Sequence, residues 1–88
     1  MLSFFLSLML LVQGGSGQLS GNVVDANGAV VSGANVKLIS LATAQERETV
    51  TNDSGDFAFT LLPAGPYKLE ITASGFRTVV VEEVRINV

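Results

Sequence analysis

From Gly21 to Phe76 the chain alternates apolar and polar residues in short bursts, closed at short intervals by turns that carry Gly. A period of two puts successive side chains on opposite faces of an extended backbone, so these bursts predict strands with one dry and one wet face. Leu19–Val24 predicts a first strand. Asp25-Ala26-Asn27-Gly28 ends it, because Asp accepts backbone N–H bonds and Gly takes a positive φ at no steric cost. Val30 and Val31 are expected to re-enter the core. After Ser32-Gly33, residues Ala34–Leu41 predict a second strand, with Val36 and Leu38 on one face and Asn35 and Lys37 on the other.

Ala42–Glu48 is polar and has no apolar period, which predicts a surface loop leading into a short strand over Glu48–Asn52. Asn52-Asp53-Ser54-Gly55-Asp56 then gives the strongest local signal, a type I turn followed by a left-handed Gly, as in a hairpin loop. The strand it opens places Phe57, Phe59 and Leu61 on one face. Pro63-Ala64-Gly65-Pro66 turns the chain again, with Pro66 at a strand's first residue, where no N–H is needed. Tyr67, Leu69, Ile71 and Ala73 follow on one face, against Lys68, Glu70 and Thr72 on the other. Ser74-Gly75-Phe76 closes that strand. Arg77–Val88, rich in Val and Ile, predicts one long strand or two, with Glu82-Glu83 as the bend or bulge. The fold class expected is all-β: a small antiparallel Greek-key β-sandwich of six to seven strands around one core.

The first residues break this pattern. Leu2–Val12 is an apolar run interrupted only by Ser3 and Ser7, and Gln13-Gly14-Gly15-Ser16-Gly17 follows it. The run is too short for a bilayer, which takes about 20 residues in a helix. It reads instead as the apolar region of a secretory signal peptide spanning residues 1–17, with Gly15 and Gly17 as the small residues before a cut at Gln18. No Lys or Arg precedes it, so the α-amino group is the only positive charge there. The bland alternative is a buried first strand, against which stand the scarcity of β-branched residues and the flexible Gly-rich joint. The expected location is therefore exported: periplasm and outer membrane, or extracellular. At the other end the pattern is still running at Ile86-Asn87-Val88, which predicts a fragment or a missing last strand.

Composition removes most chemistry. The chain has 88 residues, no Cys, no His and a formal net charge of −3. Without Cys there is no disulfide framework and no acceptor for a lipid at the mature N-terminus. A weakly acidic domain without a Lys/Arg cluster has no electrostatic footprint for nucleic acid or anionic lipid.

The turn and core residues fall in the order G-N-V-V-D-A-N-G, V-S-G-A-N-V, T-N-D-S-G-D-F-A-F, L-P-A-G-P-Y-K-L and S-G-F-R. That order resembles the carboxypeptidase regulatory-like domain, a prealbumin-like (transthyretin-like) β-sandwich, over residues 18–88. The resemblance implies an exported accessory module of the kind found at the N-terminus of bacterial TonB-dependent outer-membrane receptors, and also behind the catalytic domain of metallocarboxypeptidases. The leader-like segment favours the receptor arrangement. The implied partners are proteins, either a downstream domain of the same polypeptide or an envelope protein; the mature domain is not expected to span a membrane.

Against that background no catalytic, cofactor-binding or metal residue is assigned, and no cofactor is expected. A zinc peptidase needs imidazole ligands, and Ser-His and Cys-His systems need residues this chain lacks. Glu82 and Glu83 are strand neighbours that point to opposite faces, and read as edge charges. Asp53 and Asp56 supply two oxygens where calcium takes six to eight, and read as turn residues bonding their own backbone. A glycan-binding role, shared by similar carbohydrate-binding-like sandwiches, is the principal alternative; it calls for exposed rings, and only Phe76 is placed to supply one. Glu70 and Asn87 resemble the promoting and accepting residues of an isopeptide-locked adhesin repeat, yet the first strand carries no Lys and Lys37 lies on the second. Lys37 and Glu70 therefore read as solvated charges.

Overall fold

Seven strands, separated by the turns that the punctuation residues supply, make up the computed structural model, which describes residues 7–13 and 17–87. They are β1 (Ser7–Gln13), β2 (Gly17–Val24), β3 (Asn35–Ser40), β4 (Glu46–Val50), β5 (Asp56–Leu62), β6 (Gly65–Thr72) and β7 (Val79–Ile86). One sheet has the order β1-β2-β5 and the other β4-β3-β6-β7, and all pairs are antiparallel. The chain crosses between the sheets at β2–β3, β4–β5 and β5–β6. This is the all-β sandwich the alternation calls for.

The inward faces meet in a core of Leu19, Val23, Val36, Leu38, Phe57, Phe59, Leu62, Tyr67, Leu69, Ile71, Val84 and Ile86, completed by Val31 and Ala34 from the β2–β3 crossover. The Phe57 and Phe59 rings meet edge to face with centroids 6.1 Å apart. Burying each Val, Leu, Ile or Phe among them contributes about 1.5–3 kcal/mol before entropy is subtracted. Thr51 is a buried polar residue and is fully used: its hydroxyl donates to Val31 O at 2.7 Å and accepts from Ala34 N at 2.9 Å. It fastens the β2–β3 crossover to the end of β4.

The turns follow their residues. Asp25 Oδ1 accepts from the N–H groups of Asn27 and Ala29, and Gly28 sits at φ 85°. Glu82-Glu83 is a β-bulge: Tyr67 pairs with Val84 and Leu69 with Val81, so two residues of β7 oppose Lys68 alone. The slip turns Val84 and Ile86 inward after Val79 and Val81.

Several expectations need correction. Asn52–Asp56 is a tight turn with Gly55 at φ 78°, yet it joins strands of different sheets rather than a hairpin. Its Gly55 O is taken by Val23 N at 2.8 Å, and Asn22 Nδ2 donates to Ser54 O, so β2 pulls the departing chain into its own sheet. The polar stretch after β3 is a shorter loop than its composition implies, because the β3–β4 ladder runs to Ile39 opposite Glu46. Leu41 and Val30 stay half exposed. Pro66 is the second residue of β6, where its carbonyl accepts from Leu41 N.

The largest discrepancy lies on β5. Leu61 was expected inside and is 76% exposed, while Leu62 is buried. Leu61 has a φ of 57°, and two residues, Thr60 and Leu61, oppose Gln18 between the Gly17–Leu62 and Leu19–Phe59 pairs. A second β-bulge has moved the inward side from one leucine to the next.

The segment assigned to a signal peptide includes β1, which pairs with β2 from Ser7 opposite Val24 to Gln13 opposite Gln18. Residues 1–6 and 14–16 of that assignment, and Val88, lie outside the described residues.

Candidate functional site

β4 and β5 are edge strands of different sheets and lie side by side without pairing. Arg47 stands opposite Leu38 in the β3–β4 register, so it projects from the inward face of its sheet and reaches across. Its Nη1 donates to Thr60 O at 2.6 Å, and its guanidinium carbon lies 5.7 Å from the centroid of Phe59. A cation over a ring face and a charge-assisted bond to a carbonyl both hold the fork in one orientation. Among the described residues Arg47 forms no ion pair.

Beside it the β3–β4 turn and the β5–β6 turn enclose a cleft of about 290 Å³. Leu38, Leu61, Leu62, Pro63 and Tyr67 give it apolar walls, with Ser40, Thr43, Gln45 and Arg47 as polar members. The walls are pinned: Tyr67 Oη donates to Pro63 O at 2.6 Å and Ser40 Oγ accepts from Thr43 N at 3.2 Å. Leu61 keeps its apolar side chain in water on a left-handed backbone, a conformation that costs a non-glycine residue about 1–2 kcal/mol. A wider hollow of about 530 Å³ lies between β2, β4 and β5. Of its polar groups, Asn22 Nδ2 bonds Asp56 Oδ1 and Asn52 Oδ1 accepts from Ser54 N and Asp56 N.

The residues nominated from sequence are not gathered into one site. Asp56 is bonded to Asn22, and Asn52, rather than Asp53 or Asp56, ties down the turn backbone. Among the described residues no group of three or more His, Cys, Asp or Glu side chains is arranged to hold a metal ion. Glu82 and Glu83 sit exposed in the β7 bulge, with Glu83 paired to Arg85 at 3.2 Å. Lys37 and Glu70 are register partners on an outer face, yet Lys37 reaches Glu46 at 3.8 Å and Glu70 reaches Lys68 at 3.4 Å. Asn87 lies past the far end of β7. Phe76, expected to be an exposed ring, is half-buried and packed against the core.

Sequence reasoning missed Arg47 and Leu61. The signal for Leu61 was present in Phe57-Ala58-Phe59-Thr60-Leu61-Leu62, where adjacent leucines break a strict period of two. Arg47 fell in a stretch read mostly as loop, so its inward direction carried no signal.

A two-sheet antiparallel sandwich around one core defines the class, a small β-sandwich module. The family model of the carboxypeptidase regulatory-like domain matches residues 18–88, and the chain belongs to that family. The family is non-catalytic. No curated protein and no solved structure matches the chain.

Proposed function

We propose that the chain is an exported, non-enzymatic interaction module that works through protein contacts, carried as the N-terminal extension of a TonB-dependent outer-membrane receptor. The observation that supports it best is a coincidence of boundaries: the family match begins at residue 18, the position at which the apolar run and its small residues call for cleavage. The core cluster from Leu19 to Ile86 belongs to the matched module. Loss of residues 1–17 takes away β1 and Gly17 and leaves β2 as an edge strand, an unpaired ladder suited to contact with another polypeptide. The glycan-binding alternative has less support, because Phe57, Phe59 and Tyr67 are core residues and Phe76 is half-buried against the core.

The test is to express residues 1–88 with a C-terminal tag in a Gram-negative host and determine the N-terminal mass in each cell fraction. A product starting at Gln18 in the envelope fraction is expected. Uncleaved chain confined to the cytosol would remove the export reading. The receptor reading is checked separately in the gene: the frame after Val88 should continue into plug and barrel sequence.

A further inference from the structure

We propose that the cleft beside Arg47 is a binding site for a carboxylate carried on a short aliphatic stem. Three independent features converge on it. The first is the cavity, about 290 Å³, close to the lower end of the range that small ligands occupy. The second is a positioned cation: one donor of the Arg47 fork is fixed on Thr60 O and its guanidinium carbon stands 5.7 Å over the ring of Phe59, while no carboxylate of the described chain neutralises it. The third is Leu61, a leucine held in the left-handed region with its side chain in water at the rim. Backbone strain that leaves an apolar group exposed beside a cavity is the kind of cost a fold carries where the group meets a ligand.

Charge selects the ligand class. A single guanidinium matches one negative charge, and its planar fork fits the two oxygens of a carboxylate. No second cation lines the cleft, and the whole chain carries −3, so a dianion such as a phosphate monoester is only half neutralised there. The walls formed by Leu61, Leu62, Pro63 and Tyr67 then accept the stem. The oxygens meet Arg47 and the aliphatic carbons cover Leu61. The free acid and the C-terminal residue of a peptide present the same chemistry. This site is independent of the export reading, and its failure would leave that reading untouched.

The test titrates ¹⁵N-labelled chain with hexanoate and with N-acetyl-leucine, using 1-hexanol and N-acetyl-leucinamide as uncharged counterparts. Saturable shifts at Leu61, Ala64, Gly65 and the Arg47 Nε–H are expected, with a dissociation constant on the order of 1 mM for ligands this small. The uncharged counterparts and the Arg47→Gln variant should each bind about tenfold more weakly, the cost of one charge-assisted contact. Saturation by hexanoate alone assigns the site to free acids, by N-acetyl-leucine alone to chain ends, and by both to the shared group. Leu61→Asn supplies a readout that a purely structural role does not move: it relieves the left-handed strain and raises Tm, yet weakens binding. Absence of saturable shifts across the millimolar range, equal binding of the uncharged counterparts, or unchanged affinity in a folded Arg47→Gln protein would each overturn the proposal.

Discussion

The two β-bulges use one geometric device on very different residues. On β7 the extra residue falls at Glu82-Glu83, both exposed, and the slip keeps Glu83 and Arg85 out of the core while turning Val84 and Ile86 into it. On β5 it falls at Thr60-Leu61, and the slip replaces one leucine by its neighbour at the core face. The first bulge avoids burying charge, whose cost in a dry interior is several kcal/mol. The second has no such excuse. It places Leu61 on a left-handed backbone in water, a conformation that costs a non-glycine residue about 1–2 kcal/mol, while Leu62 takes the buried place. A bulge that is dictated by polarity is structural, and one that polarity does not call for and backbone preference opposes has another reason to be there.

Truncation separates the residues that the bulges turn inward from the one turned outward. Leu62→Ala and Ile86→Ala should each lose about 2–5 kcal/mol in denaturant unfolding, because both side chains are buried and leave cavities. Leu61→Ala should change stability by no more than about 0.5 kcal/mol, as at an ordinary surface position. If Leu61→Ala were as costly as Leu62→Ala, the β5 register described above would be wrong.

Next in size is Gly17, where the two bulged strands converge. A Cβ there would collide with the Leu62 carbonyl oxygen and stand 2.7 Å from Ile86 Cγ2. Because a backbone atom cannot move aside cheaply, Gly17→Ala in the uncleaved chain should cost about 1–3 kcal/mol in thermal or denaturant unfolding. A neutral result would mean that β2 does not lie against the ends of β5 and β7. In protein that begins at Gln18 the contact no longer exists.

The same contrast explains what was legible in the residue pattern. Alternation located the inward faces of β3 and β6 residue by residue, since Val36, Leu38, Tyr67, Leu69 and Ile71 alternate with polar neighbours. The β7 bulge was legible too, because charge marks the slip. The β5 bulge was not, since Leu61 and Leu62 are equally apolar and period-two reasoning has nothing to choose between them. The Asn52–Asp56 turn shows a second limit. Its residues specify a tight reversal but not the partner of the outgoing strand, which is set by the distant Asn22 and Val23 through their bonds to Ser54 and Gly55. The cleft inherits both blind spots, being built beside an unmarked bulge and between strands that this turn sends to different sheets.

The smallest expected effect sharpens the meaning of the charged bulge. If Glu82 and Glu83 act only by forbidding the unslipped register, their charges need not hold the slipped one in place. The Glu83–Arg85 contact is exposed at both ends, 51% and 68% for the two side chains, and such pairs contribute about 0–1 kcal/mol. Glu82→Gln with Glu83→Gln should therefore alter stability by about 0.5 kcal/mol or less, since Gln is still too polar to bury unpaired. The pairing of Tyr67 with Val84, read from cross-strand nuclear Overhauser effects, should persist. A larger loss, or a shift of Tyr67 to another partner, would show that the carboxylates pull the bulge into place rather than merely exclude its alternative, and the two bulges would then differ in cause as well as in cost.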